Sequence, residues 1–223
     1  MILIVSDQDY ISRAKILINS IRNLHDIKIH LHLINYKELI DHKNIEYSYS
    51  NIKLDNETKL KWNKIEYTPK TAYCANIRVK IISNLLKSND NILYIDADSI
   101  VLKSLDNLFK QISENDLCAY YCDKKQFYKN GFRIRTGVLG IKKTKIMTEF
   151  MKYYSENINL FEWFSDQDNL QNTFIKFKNK IKFLNLGIEY IDWKFNDNSF
   201  IWTGKGDLKY KSSKYLDKEK KYL

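Results

Sequence analysis

This chain of 223 residues predicts an α/β fold built on a mostly parallel sheet. Three observations carry that expectation. A β-branched apolar run, Ile92-Leu93-Tyr94-Ile95, stops at Asp96-Ala97-Asp98, the pattern of a strand buried on both faces that ends abruptly. Stretches with helical apolar spacing, Ile11 to Leu24 and Ala72 to Leu86, alternate with short strand-like runs. With one proline and six glycines the chain has no linker composition, and its length suits one substantial core.

The elements follow in order. Met1 to Val5 reads as the first strand and Ile11 to Leu24 as the first helix, joined by Ser6-Asp7-Gln8-Asp9-Tyr10. Ile27 to Ile34 is a second strand and Ile45 to Tyr49 a third. Residues 50–70 are polar and close on Pro69, which predicts a surface excursion. A helix from Thr71 leads to the strand at Ile92, and Lys103 to Phe109 has a short helical pattern. Leu117 to Tyr121 and Val138 to Ile141 are strands around a polar loop from Cys122 to Ile134. Helices at Thr144 to Glu156 and Asp166 to Phe177 precede short strands near Ile181 to Leu184 and Phe200 to Thr203. One domain is expected, with a nucleotide-binding half over 1–110, an acceptor-side half over 111–204 and a basic tail over 205–223.

Composition excludes several classes. Apolar residues make up 44%, too many for a disordered chain. No run approaches a membrane span or a signal h-region, so a soluble, cytoplasmic protein is expected. Cys74, Cys118 and Cys122 form a sparse, odd set that suits reduced thiols better than zinc. His30 and His32 share one face of their strand, which reads as a solvated face. The net charge is +10, and the end from Lys205 onward is rich in lysine. Such an end attracts anionic membrane or nucleic acid, or is simply solvated. No nucleic-acid motif accompanies it, so nucleic acid is not the favoured partner.

The acid pair is the most informative feature. A strand interior cannot hold Asp96 and Asp98 unpaired, so they belong just past its end, where open α/β sheets bind ligands. Oxygen ligands at this separation suit a hard divalent cation and the phosphates it carries. The alternative is a charged turn after a core strand.

The block from Ala72 to Phe109 resembles the acid-x-acid segment of GT-A fold glycosyltransferases of family 8, the glycogenin-like and bacterial galactosyltransferase-like group. That resemblance implies that Asp96 and Asp98 ligate Mn2+ (or Mg2+) on the diphosphate of a UDP-sugar, with Ala97 against the ribose. Val5-Ser6-Asp7-Gln8-Asp9-Tyr10 is similar to the family's uridine-binding turn, with Tyr10 stacking on uracil and Asp7 accepting from the base. On residue types alone, Asp7 or Asp9 is equally the helix N-cap. Arg78, on the helix before the acid pair, falls where a donor-binding cation stands in the family. It is also able to orient one of the two acids, because its fork fits carboxylate as well as phosphate.

Asp166-Gln167-Asp168-Asn169-Leu170 resembles the segment beside the sugar's anomeric carbon. It implies Asp166 on sugar hydroxyls and Gln167 on the reacting face; Ser165 and Asp166 are alternatively helix caps. Arg135-Thr136-Gly137 stands at the family's Asn-x-Gly, with the glycine kept and the asparagine replaced. Thr203-Gly204-Lys205-Gly206-Asp207-Leu208-Lys209 fits His-x-x-Gly-x-x-Lys with threonine for histidine. Gly206 and Lys209, with Lys205 nearby, would then serve the diphosphate, while the third metal ligand is left to water, Thr203, Asp197 or Asp207.

The expected activity is retaining transfer of a hexose, glucose or galactose, from a UDP-sugar to an acceptor the sequence leaves open (glycan, lipid or protein). The alternatives are a basic nucleic-acid-binding or catalytically weakened protein on the same fold, and a haloacid-dehalogenase-like phosphatase. The phosphatase pattern begins near the N-terminus and continues to Thr or Val, where this chain has Ile100 in mid-sequence.

Overall fold

The computed structural model describes residues 1–37, 40–53, 57–62, 64–122, 134–204 and 206–223. Its centre is a sheet of seven strands: β1 (Ile2–Asp7), β2 (Ile29–Ile34), β3 (Ile45–Ser50), β6 (Asn91–Ile95), β8 (Leu117–Tyr121), β9 (Ile134–Lys142) and β10 (Phe183–Asn185). Their order across the sheet is β10-β8-β9-β6-β1-β2-β3. All neighbours pair in parallel except β9, which runs against both β6 and β8. The expected mostly parallel α/β sheet is therefore present. Among the described residues two short pairs lie outside it: β4 (Leu60–Trp62) with β5 (Ile65–Tyr67), and β7 (Ser99–Val101) with β11 (Ile201–Thr203).

Both faces of the sheet are covered, which is why β1 reads as continuous apolar sequence. Ile2 and Ile4 face α1 (Ile11–Arg22) and α4 (Asp106–Glu114), packing with Leu17, Ile21, Leu108 and Ile112. Leu3 and Val5 face the other layer, α2 (Pro69–Asn76), α3 (Arg78–Leu85), α5 (Lys145–Asn157) and α6 (Ser165–Phe177). Each fully buried Ile or Leu there contributes on the order of 2 kcal/mol relative to exposure.

Several expectations are corrected. The helix expected over Ala72 to Leu86 is two helices meeting at Ile77, and the first begins at an N-cap Thr68 followed by Pro69. Asn76, at the break, donates to the carbonyls of Asn159 (3.0 Å), Leu160 (3.2 Å) and Glu162 (2.8 Å), so its side chain is spent on a distant loop. His30 and His32 are buried, not solvated. The register sets them beside Leu3 and Val5 on the α3 side of the sheet, where Ser48 and Ser50 of β3 hold their rings at 2.7 Å. The lysine-rich end is not a loose solvated tail either. It folds into α7 (Leu208–Lys211) and α8 (Ser213–Lys220), and Tyr215 and Tyr222 bury themselves against Phe195, Trp202 and Ile100. Most of the loop expected from Cys122 to Ile134 lies outside the described residues.

Candidate active site

β1 and β6 are neighbours in parallel, so Asp7 and Asp96 emerge at the same edge of the sheet. That edge, outside the carboxyl ends of the strands, is where α/β sheets form ligand crevices. The link from β6 to β7 carries Asp96, Ala97 and Asp98, and its backbone is held on several sides. The Asp96 amide donates to Gly137 O at 2.9 Å, while Asp98 O accepts from Gly204 N at 2.9 Å and from the Tyr215 hydroxyl at 2.5 Å. The two glycines are required by closeness. A Cβ on Gly137 would stand 2.8 Å from Asp96 Oδ2, and one on Gly204 would stand 2.8 Å from Asp98 O.

Each acid has a cation. Asp98 pairs with Lys209 Nζ at 2.5 Å, and Lys209 is itself buried. Burial and the nearby Asp96 carboxylate push Asp98 up to about 6, against the opposing pull of Lys209. Asp96 accepts from the Tyr94 hydroxyl at 2.6 Å and from Arg78.

Arg78 is not a solvated helix residue. It is buried at the centre of the site and joins Asp96 and Asp166 through its two terminal nitrogens. The same guanidinium donates to Tyr94 Oη at 2.8 Å and Thr136 Oγ1 at 3.1 Å. Burial alone would lower its pKa, but Tyr94, Asp166 and Asp96 together raise it well above the ordinary arginine value. Of the two roles open to it, orienting the acids is the one its contacts show. Asp166 is further fixed through its backbone: its amide donates to Asn76 Oδ1 at 3.0 Å and its carbonyl accepts from Tyr154 Oη at 2.7 Å. No side chain caps α6, so the capping alternative for Ser165 and Asp166 is not what places them. Gln167 Nε2 donates to Ile134 O at 2.6 Å, which leaves its carbonyl as the other polar end.

At the first turn, Val5 and Ser6 are buried and Asp7 Oδ1 accepts from the Tyr10 amide at 3.1 Å. Lys70 approaches Asp7 at 3.4 Å and Asp9 at 2.5 Å. Cys74, whose thiol burial pushes up to about 12, points its sulfur at Asp7 from 3.6 Å. The residue before α1 is Tyr10 and no side chain caps that helix, so neither Asp7 nor Asp9 is its N-cap. Tyr10 is 38% exposed, with the Lys209 ammonium 4.7 Å from its ring centre and 3.2 Å from its hydroxyl.

A cavity of about 700 Å³ opens beside Asp96. Arg78, Arg135, Thr136, Gly137, Asp166 and Gln167 line its polar part, Thr203, Gly204 and Gly206 another side, and Ile65, Trp163, Phe164 and Trp193 its apolar part. Thr203 pairs with Ser99 across β11 and β7, so it stands beside the acid loop as the sequence pattern required. Gly206 has φ of 51°, a left-handed conformation that costs glycine little. Phe164, just before α6, has φ of 62°, which is strained for an aromatic residue. The structure therefore brings Arg78, Asp96, Gly137, Asp166, Gln167 and Gly206 to one cavity. Val5, Ser6, Asp7, Tyr10 and Lys209 stand on the other flank of the acid loop. Lys205 lies outside the described residues.

Tyr94, Asn76, Thr136, Tyr154 and Tyr215 support the site without having been read from the sequence. Only Tyr94 carried a signal: it alternates with Asp96 along β6 and so shares its face. Among the described residues no three His, Cys, Asp or Glu side chains gather as a metal cluster. Two carboxylates nevertheless fit a hard cation that draws its other ligands from a diphosphate and water.

An open, mostly parallel sheet with this acid-x-acid crevice defines a GT-A type glycosyltransferase. The chain belongs to the nucleotide-diphospho-sugar transferase family, whose model matches residues 38–215. No curated protein sequence matches the chain. Solved structures share its fold. An active-site mutant of LgtC superposes with a TM-score of 0.58 at 17% identity, over 92% of this chain and 87% of LgtC. The galactosyltransferase LgtC with donor and acceptor sugar analogues gives a TM-score of 0.53 at 14% identity, with the same coverage of 92% and 87%. GlyE of Streptococcus pneumoniae TIGR4 gives 0.57 at 16% identity over 99% of this chain, which spans 59% of GlyE. Family membership sets aside the phosphatase reading.

Proposed function

We propose that this glycosyltransferase moves a hexose, glucose or galactose, from a UDP-sugar to its acceptor with retention. One observation supports the reading most: Arg78 ties Asp96 to Asp166, so the diphosphate-side acid and the sugar-side acid are held as one rigid unit. A rigid unit is what positions a donor whose sugar and diphosphate must both be fixed. The substituted glutamine of the LgtC mutant is an active-site residue of that protein, in keeping with a role for Gln167 here.

In this reading the half over 1–110 binds the nucleotide and 111–204 faces the acceptor. Tyr10 offers an exposed ring to uracil, and Asp7 accepts from the base edge. Val5, Ser6 and Ala97 line the nucleoside path. Asp96 and Asp98 would hold Mn2+ or Mg2+, which supplies charge stabilisation for the leaving diphosphate. Lys209, with Gly206 giving close backbone approach, adds a positive charge at the same place. Asp166 binds sugar hydroxyls. As the bond from the anomeric carbon to the diphosphate oxygen breaks, the acceptor oxygen bonds that carbon from the same face and its proton passes to the departing diphosphate. The Gln167 carbonyl faces the positive charge that develops on the carbon. With threonine at position 203 the metal is held less tightly than histidine would hold it. Cys74, Cys118 and Cys122 form no disulfide, in keeping with a reducing, cytoplasmic location. No helix of the described residues is long and apolar enough to cross a membrane.

Thermal melts with UDP, ADP and GDP, each with Mn2+, test the donor. UDP should stabilise the fold and the purine nucleotides should not; equal shifts by all three remove the uridine assignment.

A further inference from the structure

The first strand-to-helix turn carries a cation that the proposed chemistry does not use. Lys70, at the start of α2, reaches across to this turn and brings its ammonium 2.5 Å from Asp9 and 3.4 Å from Asp7. Its side chain keeps 23% of its surface exposed, so the ammonium sits at the rim of the turn. The backbone beneath it is fixed. Thr71 N donates to Thr68 Oγ1 at 3.2 Å and Thr68 N to Thr71 Oγ1 at 2.9 Å, a reciprocal cap, and Pro69 opens the helix. Tyr73 anchors α2 in the core that Val5 of β1 shares. The Asp9 hydrogen bond, with help from Asp7, raises the Lys70 pKa against the opposing effect of burial, so the charge is kept.

Donor and acceptor places remain on both groups. A carboxylate has about four lone-pair places. On Asp7 the Tyr10 amide takes one at Oδ1, while Cys74 Sγ and Lys70 approach Oδ2. A second place on Oδ1 is left for a ligand N–H. An ammonium has three donors, and the two carboxylates engage two of those on Lys70. The turn thus sets an acceptor next to a donor, beside the partly exposed ring of Tyr10.

A flat base that stacks on Tyr10 and turns its edge toward Asp7 meets both. Uracil presents N3–H beside the O4 carbonyl, a donor next to an acceptor, which complements a carboxylate next to an ammonium. Cytosine reverses the order: N3 has no hydrogen and the N4 amino group donates. The ribose and diphosphate, held toward the acid pair, prevent the base from sliding to a register that would suit it. Guanine has the uracil order on a larger ring, so cytosine is the sharper comparison. We propose that Lys70 is a specificity-determining residue whose ammonium reads the O4 carbonyl of uracil while Asp7 reads N3–H. Asp9 holds that ammonium in place. This inference rests on the UDP-sugar reading and deepens it.

Calorimetric titration of the full chain with UDP and CDP, each with Mg2+, tests it in the parent, Lys70→Met and Lys70→Arg. The parent should prefer UDP over CDP by about a hundredfold, a factor of ten from each of the two contacts. Lys70→Met keeps the stem and removes the donors, so it should weaken UDP about tenfold and CDP little. Lys70→Arg should retain more of the preference than Lys70→Met. In the parent, 4-thio-UDP should bind more weakly than UDP because sulfur is a poor acceptor, a comparison that needs no variant to fold. UDP and CDP weakened by the same factor in Lys70→Met would put Lys70 at the phosphates or in the fold alone, and overturns the proposal. Equal affinity of the parent for UDP and 4-thio-UDP overturns it too. A UDP preference that Lys70→Met keeps in full removes the Lys70 assignment and leaves the uridine reading standing. A parent that binds UDP and CDP alike, or neither, removes the uridine reading and the proposal with it.

Discussion

Arg78→Met should be among the most destabilising single changes in the active site. It removes the guanidinium that joins Asp96 to Asp166 while keeping a side chain of similar length. The Asp166 side chain is 3% exposed and has no other cation among the described residues, so its loss follows the cost of breaking a buried ion pair, about 3–5 kcal/mol. The Asp96 side chain is 33% exposed, and solvent reduces its share to about 1 kcal/mol at most. For a chain of this size 1 kcal/mol moves the melting temperature by roughly 2–4 °C, so a total of about 3–6 kcal/mol predicts a fall of roughly 6–24 °C. Urea denaturation of the parent, R78M, D166N and R78M/D166N would apportion it. In the parent the Asp166→Asn change breaks the pair and costs stability, whereas in the R78M background it removes an uncompensated charge. The cycle should therefore show a coupling of about 2 kcal/mol. An R78M protein that melts within about 2 °C of the parent, or four stabilities that simply add, would refute the view that Arg78 holds the acids as one unit.

Further outcomes follow from the same contacts. Burial, with help from His30, depresses His32 from 6.5 to about 4; the unfolded chain takes up a proton that the folded state refuses. Stability should be complete above pH 6.5 and fall by at most about 3 kcal/mol toward pH 4, and a urea series across that range in which His32→Gln retains the full acid loss would contradict it. Gly204→Ala places a Cβ 2.8 Å from Asp98 O and 2.8 Å from the Lys209 side chain; it should cost about 1–3 kcal/mol and weaken metal-dependent UDP binding, and calorimetry that finds UDP affinity unchanged would show the acid loop to be pliable. Thr203→His should tighten Mn2+ binding near neutral pH and lose the gain near pH 5 as the imidazole protonates. Unchanged Mn2+ affinity would mean that position 203 does not face the metal.

How far the sequence discloses this molecule depends on whether the signal is local. The strand at Ile92 and the acids after it are legible because a β-branched run and a pair of carboxylates conflict within one short segment. Arg78 stands where the resemblance puts it, and its spacing carries a hint of burial, since Ile82 lies four residues on along the same helix face. Its partner Asp166 is 88 residues away, and no periodicity announces such a contact. The same holds for Asn76, whose three acceptors lie across the fold. His30 and His32 mislead because a polar pair on one strand face ordinarily means solvent; here Ser48 and Ser50 of the neighbouring strand bond three of the four ring nitrogens. The lysine-rich end hides Tyr215 and Tyr222, whose burial depends on Phe195 and Trp202 rather than on local apolar spacing.

The central claim, a metal-assisted UDP-sugar site at Asp96 and Asp98, is tested most directly by UDP release from UDP-glucose and UDP-galactose with and without Mn2+. Hydrolysis by water makes the acceptor unnecessary. The parent protein should release UDP from at least one donor only when Mn2+ or Mg2+ is present. Asp96→Asn and Asp98→Asn should each abolish that release, with their melting transitions still cooperative. UDP release that proceeds equally without a divalent cation, or that survives in the double variant, would contradict the assignment of the acid pair.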